Sequence, residues 1–358
     1  MSRLQRRLLY SVPLLVGLAG VTRYVRPAPQ LLAFAVAAVA LAGLAWTVSF
    51  ATEQIGLGFG PGVTGVLQST VGNLPEFFVV LFALQAHERT VAQTALIGSI
   101  LVNALLVLGL VLVTGAARER ARVMRFHAGL PNDTATLMLI ASLTIVLIAL
   151  VAGAGGAAGR HVEAISIVGA VALLVVYSIW MRQYLASDRT RAVADPGEAA
   201  SVERPRLALR AAVVLLAGAG VGSAFVSDWF VHALAPTIHQ LSLTQSFAGI
   251  VIIAIAGNAV ENASGIYLAY RGKHDLAISV VKNSVAQLAA FLYPLMVLVS
   301  LATASRLSFQ LPDVWAAALV GTAVLIWQIT GDGEATPFEG AALIAVYVVL
   351  ATVSAFQA

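Results

Sequence analysis

Long apolar runs separated by short polar stretches dominate the chain. A helix needs ~20 mostly apolar residues to cross a bilayer, and eleven runs come close to that length. We therefore predict eleven transmembrane helices, which lie at 8–25, 31–51, 61–86, 90–115, 132–153, 161–184, 207–231, 240–270, 275–302, 313–329 and 338–357. One polar stretch is long: residues 185–206 contain two prolines and a glycine, and they are predicted to form a linker.

The composition agrees with this pattern. Of the 358 residues, 59% are hydrophobic and 11% are charged, whereas soluble domains average about 25% charged residues. A soluble fold could not hide that much apolar surface from water, so we predict an all-α integral membrane protein. This excludes a disordered chain, a nucleic-acid-binding domain and a soluble enzyme with one anchor. The absence of cysteine excludes disulfides and thiolate metal sites.

The arginines and lysines predict an orientation in the membrane. With the N-terminus in the cytoplasm, fifteen of them fall in inside segments and five in outside segments, as the positive-inside rule requires. Residues 1–30 lack a clear small-x-small cleavage site and are predicted to be a transmembrane helix, not a signal peptide. We expect a bacterial inner (plasma) membrane protein.

A short motif occurs twice inside apolar runs. Residues 72–76 read Gly-Asn-Leu-Pro-Glu and residues 257–261 read Gly-Asn-Ala-Val-Glu, 185 positions later. Twenty-five residues after each asparagine comes a dipeptide that ends in serine, Gly98-Ser99 and Asn283-Ser284. Inverted repeats are common in secondary transporters. We therefore predict an N-terminal helix (1–30) and two five-helix repeats (31–184 and 207–358), which are inverted because five is odd.

The motif places Glu76 and Glu261 inside predicted spans. A bare charged carboxylate there is costly, and two neighbouring carboxylates cannot both stay ionised without compensation. A divalent cation can neutralise both, or protons can, which is the logic of a cation/proton antiporter. The alternative is a structural pair of neutral, hydrogen-bonded acids.

Other oxygen donors accompany the glutamates. Each asparagine of the motif lies three residues before its glutamate, on the same helix face, and Gly72 and Gly257 are expected to open the helix. An all-oxygen set suits a hard cation such as Ca²⁺. The candidate supporting ligands are Asn73, Asn258, Ser99, Ser284, Gln287 and Asn103. For each of these polar residues alone, packing between helices is the competing explanation.

Residues 72–109 and 257–298 resemble the two α-repeats of the Ca²⁺/cation antiporter superfamily, and within it the Ca²⁺/H⁺ exchanger family. The first stretch carries Gly-Asn-x-x-Glu and then Gly-Ser-x-x-x-Asn-x-Leu-Leu-Val-x-Gly. The resemblance implies Ca²⁺/H⁺ exchange by alternating access, with Glu76 and Glu261 binding Ca²⁺ and carrying protons. It matches the family's supporting residues to Asn73, Asn258, Ser99, Ser284 and Gln287.

The second motif departs from the family pattern. Asn262 stands where a histidine is common, and Lys282-Asn283-Ser284 replaces the usual Gly-Ser-Ser. Lys282 lies about 200° around the helix from Ser284, so we expect it to face away from the site. The alternative is a lysine that faces the site, where its charge would weaken the binding of a divalent cation. Residues 185–206 hold equal numbers of acidic and basic residues, although the family often has an acidic helix there.

Three other functions are weighed against Ca²⁺/H⁺ exchange. A Na⁺-coupled cation exchanger shares the superfamily, but glutamate in both motifs favours protons. A passive cation channel built on the same oxygens is disfavoured by the inverted repeats. An intramembrane enzyme lacks a His-Glu-x-x-His metal motif and a nucleophile elbow. The absence of a Walker pattern predicts no ATP site, so the expected partners are Ca²⁺, protons and the bilayer, without a cofactor or nucleic acid.

Overall fold

The computed structural model describes residues 3–25, 29–57, 71–127, 129–194 and 205–357. Within these residues the chain forms twelve helices and two short strands. The helices are α1 (Arg3–Tyr24), α2 (Gln30–Gly56), α3 (Leu74–Gln85), α4 (Arg89–Arg118), α5 (Gly129–Gly153), α6 (Val162–Ala194), α7 (Leu209–Gln240), α8 (Gln245–Gly257), α9 (Ala259–Tyr270), α10 (His274–Ala302), α11 (Asp313–Thr330) and α12 (Pro337–Phe356). The strands β1 (Met124–Arg125) and β2 (Glu334–Ala335) pair antiparallel.

The helices confirm an all-α membrane protein. Among the described residues, eight are long and apolar enough to cross a bilayer: α2, α4, α5, α6, α7, α10, α11 and α12. The pair α8 and α9, bent by 57°, makes a possible ninth span. Large apolar side chains such as Leu143 and Leu147 on α5 are exposed, as lipid-facing residues are. The predicted span 61–86 is described only from residue 71 onward, so the count of eleven spans stays a prediction.

The chain folds into two compact units that cut across the sequence halves. The first unit combines Met1–Phe82 with Val175–Leu241, and the second combines Ala83–Leu174 with Ser242–Ala358. In the first unit, α2 packs along α7, where the rings of Phe34 and Phe230 lie 4.8 Å apart. Each unit therefore contains segments from both predicted repeats.

Helix α4 is the most deeply buried span of the second unit, with 83% of its most apolar window inside the protein. It crosses α8 at two glycines. A Cβ on Gly98 would lie 2.5 Å from the Cα of Ile250, and a Cβ on Gly249 would lie 2.0 Å from Oγ1 of Thr94. Small residues allow such close approach between membrane helices. The contact lies beside Ser99.

Polar side chains of α4 hold the segment between α10 and α11. Nε2 of Gln93 lies 3.0 Å from the carbonyl oxygen of Ser308, 2.8 Å from that of Gln310 and 3.1 Å from the hydroxyl of Tyr293. Arg89 donates to the Ser308 hydroxyl at 2.9 Å. This segment is therefore fixed to the helix that carries Ser99.

The helix bounds show the same 185-residue offset as the sequence motif. Helices α3 and α9 begin and end 185 residues apart, and so do the starts of α4 and α10. The turns before α4 and α10 contain left-handed residues at equivalent places, His87 with φ 64° and Gly272 with φ 75°. Both α4 and α10 also contain a π-helical turn, at Val102–Val107 and Leu288–Leu292. The offset of the sequence motif is thus matched by the bounds of these helices.

The predicted linker is partly helical. Helix α6 continues to Ala194, ten residues into the segment 185–206. No proline or glycine occurs between residue 185 and Pro196, so the linker sequence does not stop the helix earlier. Residues 195–204 lie outside the described residues.

Candidate cation-binding site

Both copies of the repeated motif interrupt a helix. Gly72 and Asn73 form a turn immediately before α3, and Asn258 separates α8 from α9 with φ −95° and ψ 8°. In each case the asparagine carbonyl accepts the first hydrogen bond of the next helix, from Phe77 at 2.9 Å and from Asn262 at 3.0 Å. These breaks place the polar residues of the motif at the N-terminal ends of α3 and α9, where the helix dipole favours negative groups.

The first motif is buried in the first compact unit. Asn73 is 4% exposed and Glu76 is 6% exposed. Both amide atoms of the Asn73 side chain lack a hydrogen-bond partner among the described residues. A buried amide without partners costs free energy, so this side chain is suited to a polar ligand such as a cation. In the second motif, Glu261 lies in the first turn of α9, but its side chain is outside the described part of the structure.

The second compact unit brings together three of the predicted supporting residues. Nδ2 of Asn103 donates to Oδ1 of Asn258 at 2.7 Å, and Nδ2 of Asn258 donates to Oγ of Ser99 at 2.9 Å. All three side chains are buried. The cluster joins the middle of α4, from the first sequence repeat, to the break before α9, from the second.

Two backbone carbonyls fix the orientation of both amides. Nδ2 of Asn103 also donates to the carbonyl of Ser99 at 3.0 Å, and Nδ2 of Asn258 also donates to that of Ala254 at 2.9 Å. A carbonyl oxygen can only accept a hydrogen bond. The nitrogen of each amide must therefore point toward the backbone carbonyl of its own helix. The oxygen of Asn258 is therefore engaged by Asn103. The oxygen of Asn103 is buried without a hydrogen-bond partner among the described residues.

The remaining candidate ligands lie on α10. Ser284 is 3% exposed and Gln287 is 8% exposed, and the π-helical turn starts directly after Gln287. Such turns often occur at functional sites. The hydrogen-bonded cluster on α4 and α9 comprises Ser99, Asn103 and Asn258, and Ser284 and Gln287 remain predicted ligands on the neighbouring helix.

Lys282 points to another part of the second unit. Its ammonium group hydrogen-bonds to Oγ1 of Thr330, the last residue of α11. The side chain also lines a narrow space beside Thr134 and Met138 of α5. Contacts with α5 and α11 are those expected of a side chain that faces away from Ser284.

Sequence reasoning missed two features of this region. Gly249 permits the close crossing of α8 and α4 beside Ser99, and an isolated glycine in an apolar span was the available signal. Thr330 as the partner of Lys282 had no such signal, because the two residues lie 48 positions apart on different helices.

The sequence matches the model of the family described as "Sodium/calcium exchanger protein" over residues 29–182 and 211–356. It is 31% identical to the Ca²⁺/H⁺ antiporter ChaA of Bacillus subtilis over 329 residues, covering 90% of this chain and 92% of that protein. It is 30% identical to a Ca²⁺/H⁺ antiporter of Synechocystis over 335 residues, covering 89% of each chain.

Solved structures match the fold of this chain. The structure of native YfkE matches with a TM-score of 0.81 at 25% identity, covering 98% of this chain and 100% of that one. The H⁺/Ca²⁺ exchanger CAX matches in fold with a TM-score of 0.75 at 15% identity, covering 98% and 92% of the two chains. The chain therefore belongs to the sodium/calcium exchanger protein family, among relatives that are Ca²⁺/H⁺ antiporters, and it is a membrane transporter and not an enzyme.

Proposed function

We propose that the protein exchanges Ca²⁺ for H⁺ across its membrane by alternating access, with Glu76 and Glu261 binding either the cation or protons. The observation that carries this proposal is the Gly-Asn-x-x-Glu motif, which recurs at an offset of 185 residues at the start of α3 and α9. The names of the bacterial relatives as Ca²⁺/H⁺ antiporters support the choice of ions.

The burial of Glu76 gives an electrostatic reason for coupling Ca²⁺ transport to proton transport. Glu76 is 6% exposed and lies in an apolar stretch of the chain. A charge without a compensating group is unstable in such surroundings. A cation or a proton that neutralises a carboxylate in such surroundings stabilises it, and we propose this role for both ions at Glu76. Under the proposal Glu261, its repeat equivalent, obeys the same rule, so the protein cannot return empty and unprotonated.

The neighbouring groups favour Ca²⁺ over softer metals. The motif and the predicted supporting residues offer carboxylate, amide and hydroxyl oxygens, and Ca²⁺ takes 6–8 oxygen ligands. Asn73 and Asn103 each present a buried side-chain oxygen without a hydrogen-bond partner among the described residues. By the family resemblance the supporting ligands are Asn73, Asn258, Ser99, Ser284 and Gln287, and we propose the unpartnered oxygen of Asn103 as a further one.

The transport cycle follows from these groups. Protons bind the two carboxylates on the side with lower pH and displace Ca²⁺, and the neutralised site then becomes accessible from the other side. There the carboxylates release their protons and bind Ca²⁺ again. The gradient of protons drives the cycle. In a bacterium, with the N-terminus in the cytoplasm, this would export Ca²⁺ from the cytosol across the inner membrane.

Sodium-coupled exchange is the second candidate, because the fold also matches structures of the sodium-calcium exchanger NCX_Mj with a TM-score of 0.55. Purified protein in liposomes separates the two. Ca²⁺ uptake is measured under an imposed pH gradient without sodium, with a pH-sensitive dye inside. Ca²⁺ uptake accompanied by proton efflux supports the proposal. Ca²⁺ uptake that requires a sodium gradient overturns the proposal in favour of the second candidate. Ca²⁺ uptake without opposite movement of either H⁺ or Na⁺ indicates a passive channel.

A further inference from the structure

A cavity of about 120 Å³ lies inside the first compact unit, between α1, α2 and α7. Ala19, Thr22 and Arg23 of α1, Gln30, Ala33 and Ala37 of α2, and Trp229, His232 and Ala233 of α7 line it. One of its three walls is α1, the N-terminal helix, which lies outside both predicted repeats. The transport proposal makes no use of it.

The cavity has an apolar floor and a polar mouth. Ala19, Ala37 and Ala233 are buried, so small side chains form its inner wall. Arg23, Gln30 and His232 are exposed. The carboxylate of Asp228 lies 3.3 Å from the His232 ring, on the α7 side of the cavity. Arg23, on the α1 side, is the one arginine among the lining residues.

Aromatic contacts fix the shape of this cavity. The indole Nε1 of Trp229 donates to the Tyr24 hydroxyl at 3.1 Å, and the two rings meet edge to face at 5.8 Å. The Trp229 ring fits against Gly20, where a Cβ would lie 3.2 Å from it. The guanidinium of Arg23 lies 5.7 Å from the centroid of the Tyr24 ring. The cavity is thus preformed and does not depend on a ligand to hold α1 against α7.

Its position matches the boundary between lipid tails and head groups. Helix α1 ends at Tyr24 and α2 begins at Gln30, so the mouth lies near the start of α2, a helix that is apolar enough to cross a bilayer. Tryptophan, tyrosine and arginine concentrate at this depth of a bilayer. A ligand here meets water at its polar end and hydrocarbon at its other end.

We propose that this cavity binds an anionic phospholipid. The phosphate group would lie at Arg23, with the Gln30 amide available as a hydrogen-bond donor, while the glycerol end of the acyl chains contacts the alanine floor. The cavity is too small for a whole lipid, so the chains extend from it into the bilayer. An anionic head group pairs with the guanidinium of Arg23, whereas a zwitterionic head group brings a second cationic group toward it.

Native mass spectrometry of the full-length protein tests this proposal, with phosphatidylglycerol, phosphatidylcholine and inorganic phosphate as probes. Retention of phosphatidylglycerol should exceed that of phosphatidylcholine by about fivefold, the ratio expected from one cationic side chain near a membrane surface. Arg23→Gln should remove this preference. Ala33→Leu, which fills a half-buried wall of the cavity, should lower retention of phosphatidylglycerol.

Two control variants match these changes outside the cavity. Arg160→Gln removes an exposed arginine in the segment before α6, and Ala35→Leu enlarges an exposed face of α2. Both should retain phosphatidylglycerol as the unmodified protein does. Equal retention of the two lipids would overturn the proposal. So would an equal loss in Arg23→Gln and Arg160→Gln, or tight binding of inorganic phosphate alone.

Discussion

Nδ2 of Asn103 lies 2.7 Å from Oδ1 of Asn258, and this hydrogen bond joins the centre of α4 to the break between α8 and α9. The two residues come from different sequence repeats, and both are 1% exposed. Because the bond engages the side-chain oxygen of Asn258 and leaves that of Asn103 without a partner among the described residues, the two asparagines have different roles in the proposed site. Asn103 is the better cation ligand in this arrangement, and Asn258 has to change its partner to become one.

Removing the amide of Asn103 should affect both stability and transport. Asn103→Leu leaves the oxygen of Asn258 buried and unpaired, which costs about 1–3 kcal/mol of unfolding free energy. It also removes a proposed ligand, so the apparent Ca²⁺ affinity should fall by at least about tenfold, a loss of ~1.4 kcal/mol. Thermal unfolding in detergent and Ca²⁺ uptake into liposomes measure the two effects.

A double-mutant cycle measures the interaction between Asn103 and Asn258 separately from the contribution of each side chain alone. If the two amides stabilise each other, Asn103→Leu and Asn258→Ala should be non-additive, with a coupling of about 0.5–3 kcal/mol in unfolding free energy. Strict additivity of the two variants would mean that the hydrogen bond contributes nothing to stability.

Glu76→Gln and Glu261→Gln should each abolish exchange. Glutamine is close in size to glutamate, but it neither binds a proton at neutral pH nor supplies a negative charge to Ca²⁺, so folding should be retained while both ions lose their site. Ca²⁺ uptake under a pH gradient measures the loss. Glu163→Gln is the matched control, since this exposed glutamate pairs with Arg306 at the surface. Full transport by either of the first two variants would be incompatible with the mechanism.

Lys282→Ala should leave exchange largely intact and lower stability. The lysine is 3% exposed and hydrogen-bonds to Thr330, so its removal leaves a cavity and frees the end of α11. We expect a loss of about 1–3 kcal/mol in unfolding free energy. Lys273→Ala at the start of α10 is the control, because that residue is exposed and should change neither quantity. If folded Lys282→Ala protein loses exchange, the lysine acts on the site and does not only support the fold.

Gly98→Ala should disrupt the crossing of α4 and α8. Its Cβ would come within 2.5 Å of the Ile250 backbone, and backbone atoms cannot move away as a flexible side chain does, so Ser99 and Asn258 would be forced apart. The yield of folded protein and its thermal unfolding temperature should both drop. Gly321→Ala in α11 is the comparison, since a Cβ there meets nothing within 4 Å. A Gly98→Ala protein as stable as Gly321→Ala would contradict the close crossing.

The sequence predicts the membrane class, the repeat and the candidate glutamates because each is local. Hydropathy identifies the spans. The motif at the start of α3 recurs at the start of α9, and the two helices occupy equivalent positions in the two copies. The pairing of Asn103 with Asn258 could not be predicted, because it depends on how α4 crosses α8. The same applies to Lys282 and Thr330. The two compact units also escaped prediction, since spatial packing groups α2 with α7 across the sequence halves.

The central claim is that Ca²⁺ and protons compete for Glu76 and Glu261. The most direct test is to add Ca²⁺ to the purified protein in weakly buffered detergent solution, without sodium, and to measure the protons that are released. The account predicts proton release that saturates with Ca²⁺ and is lost in Glu76→Gln and Glu261→Gln, but not in Glu163→Gln. Saturable Ca²⁺ binding with no proton release, or unchanged release from both glutamine variants, would contradict it.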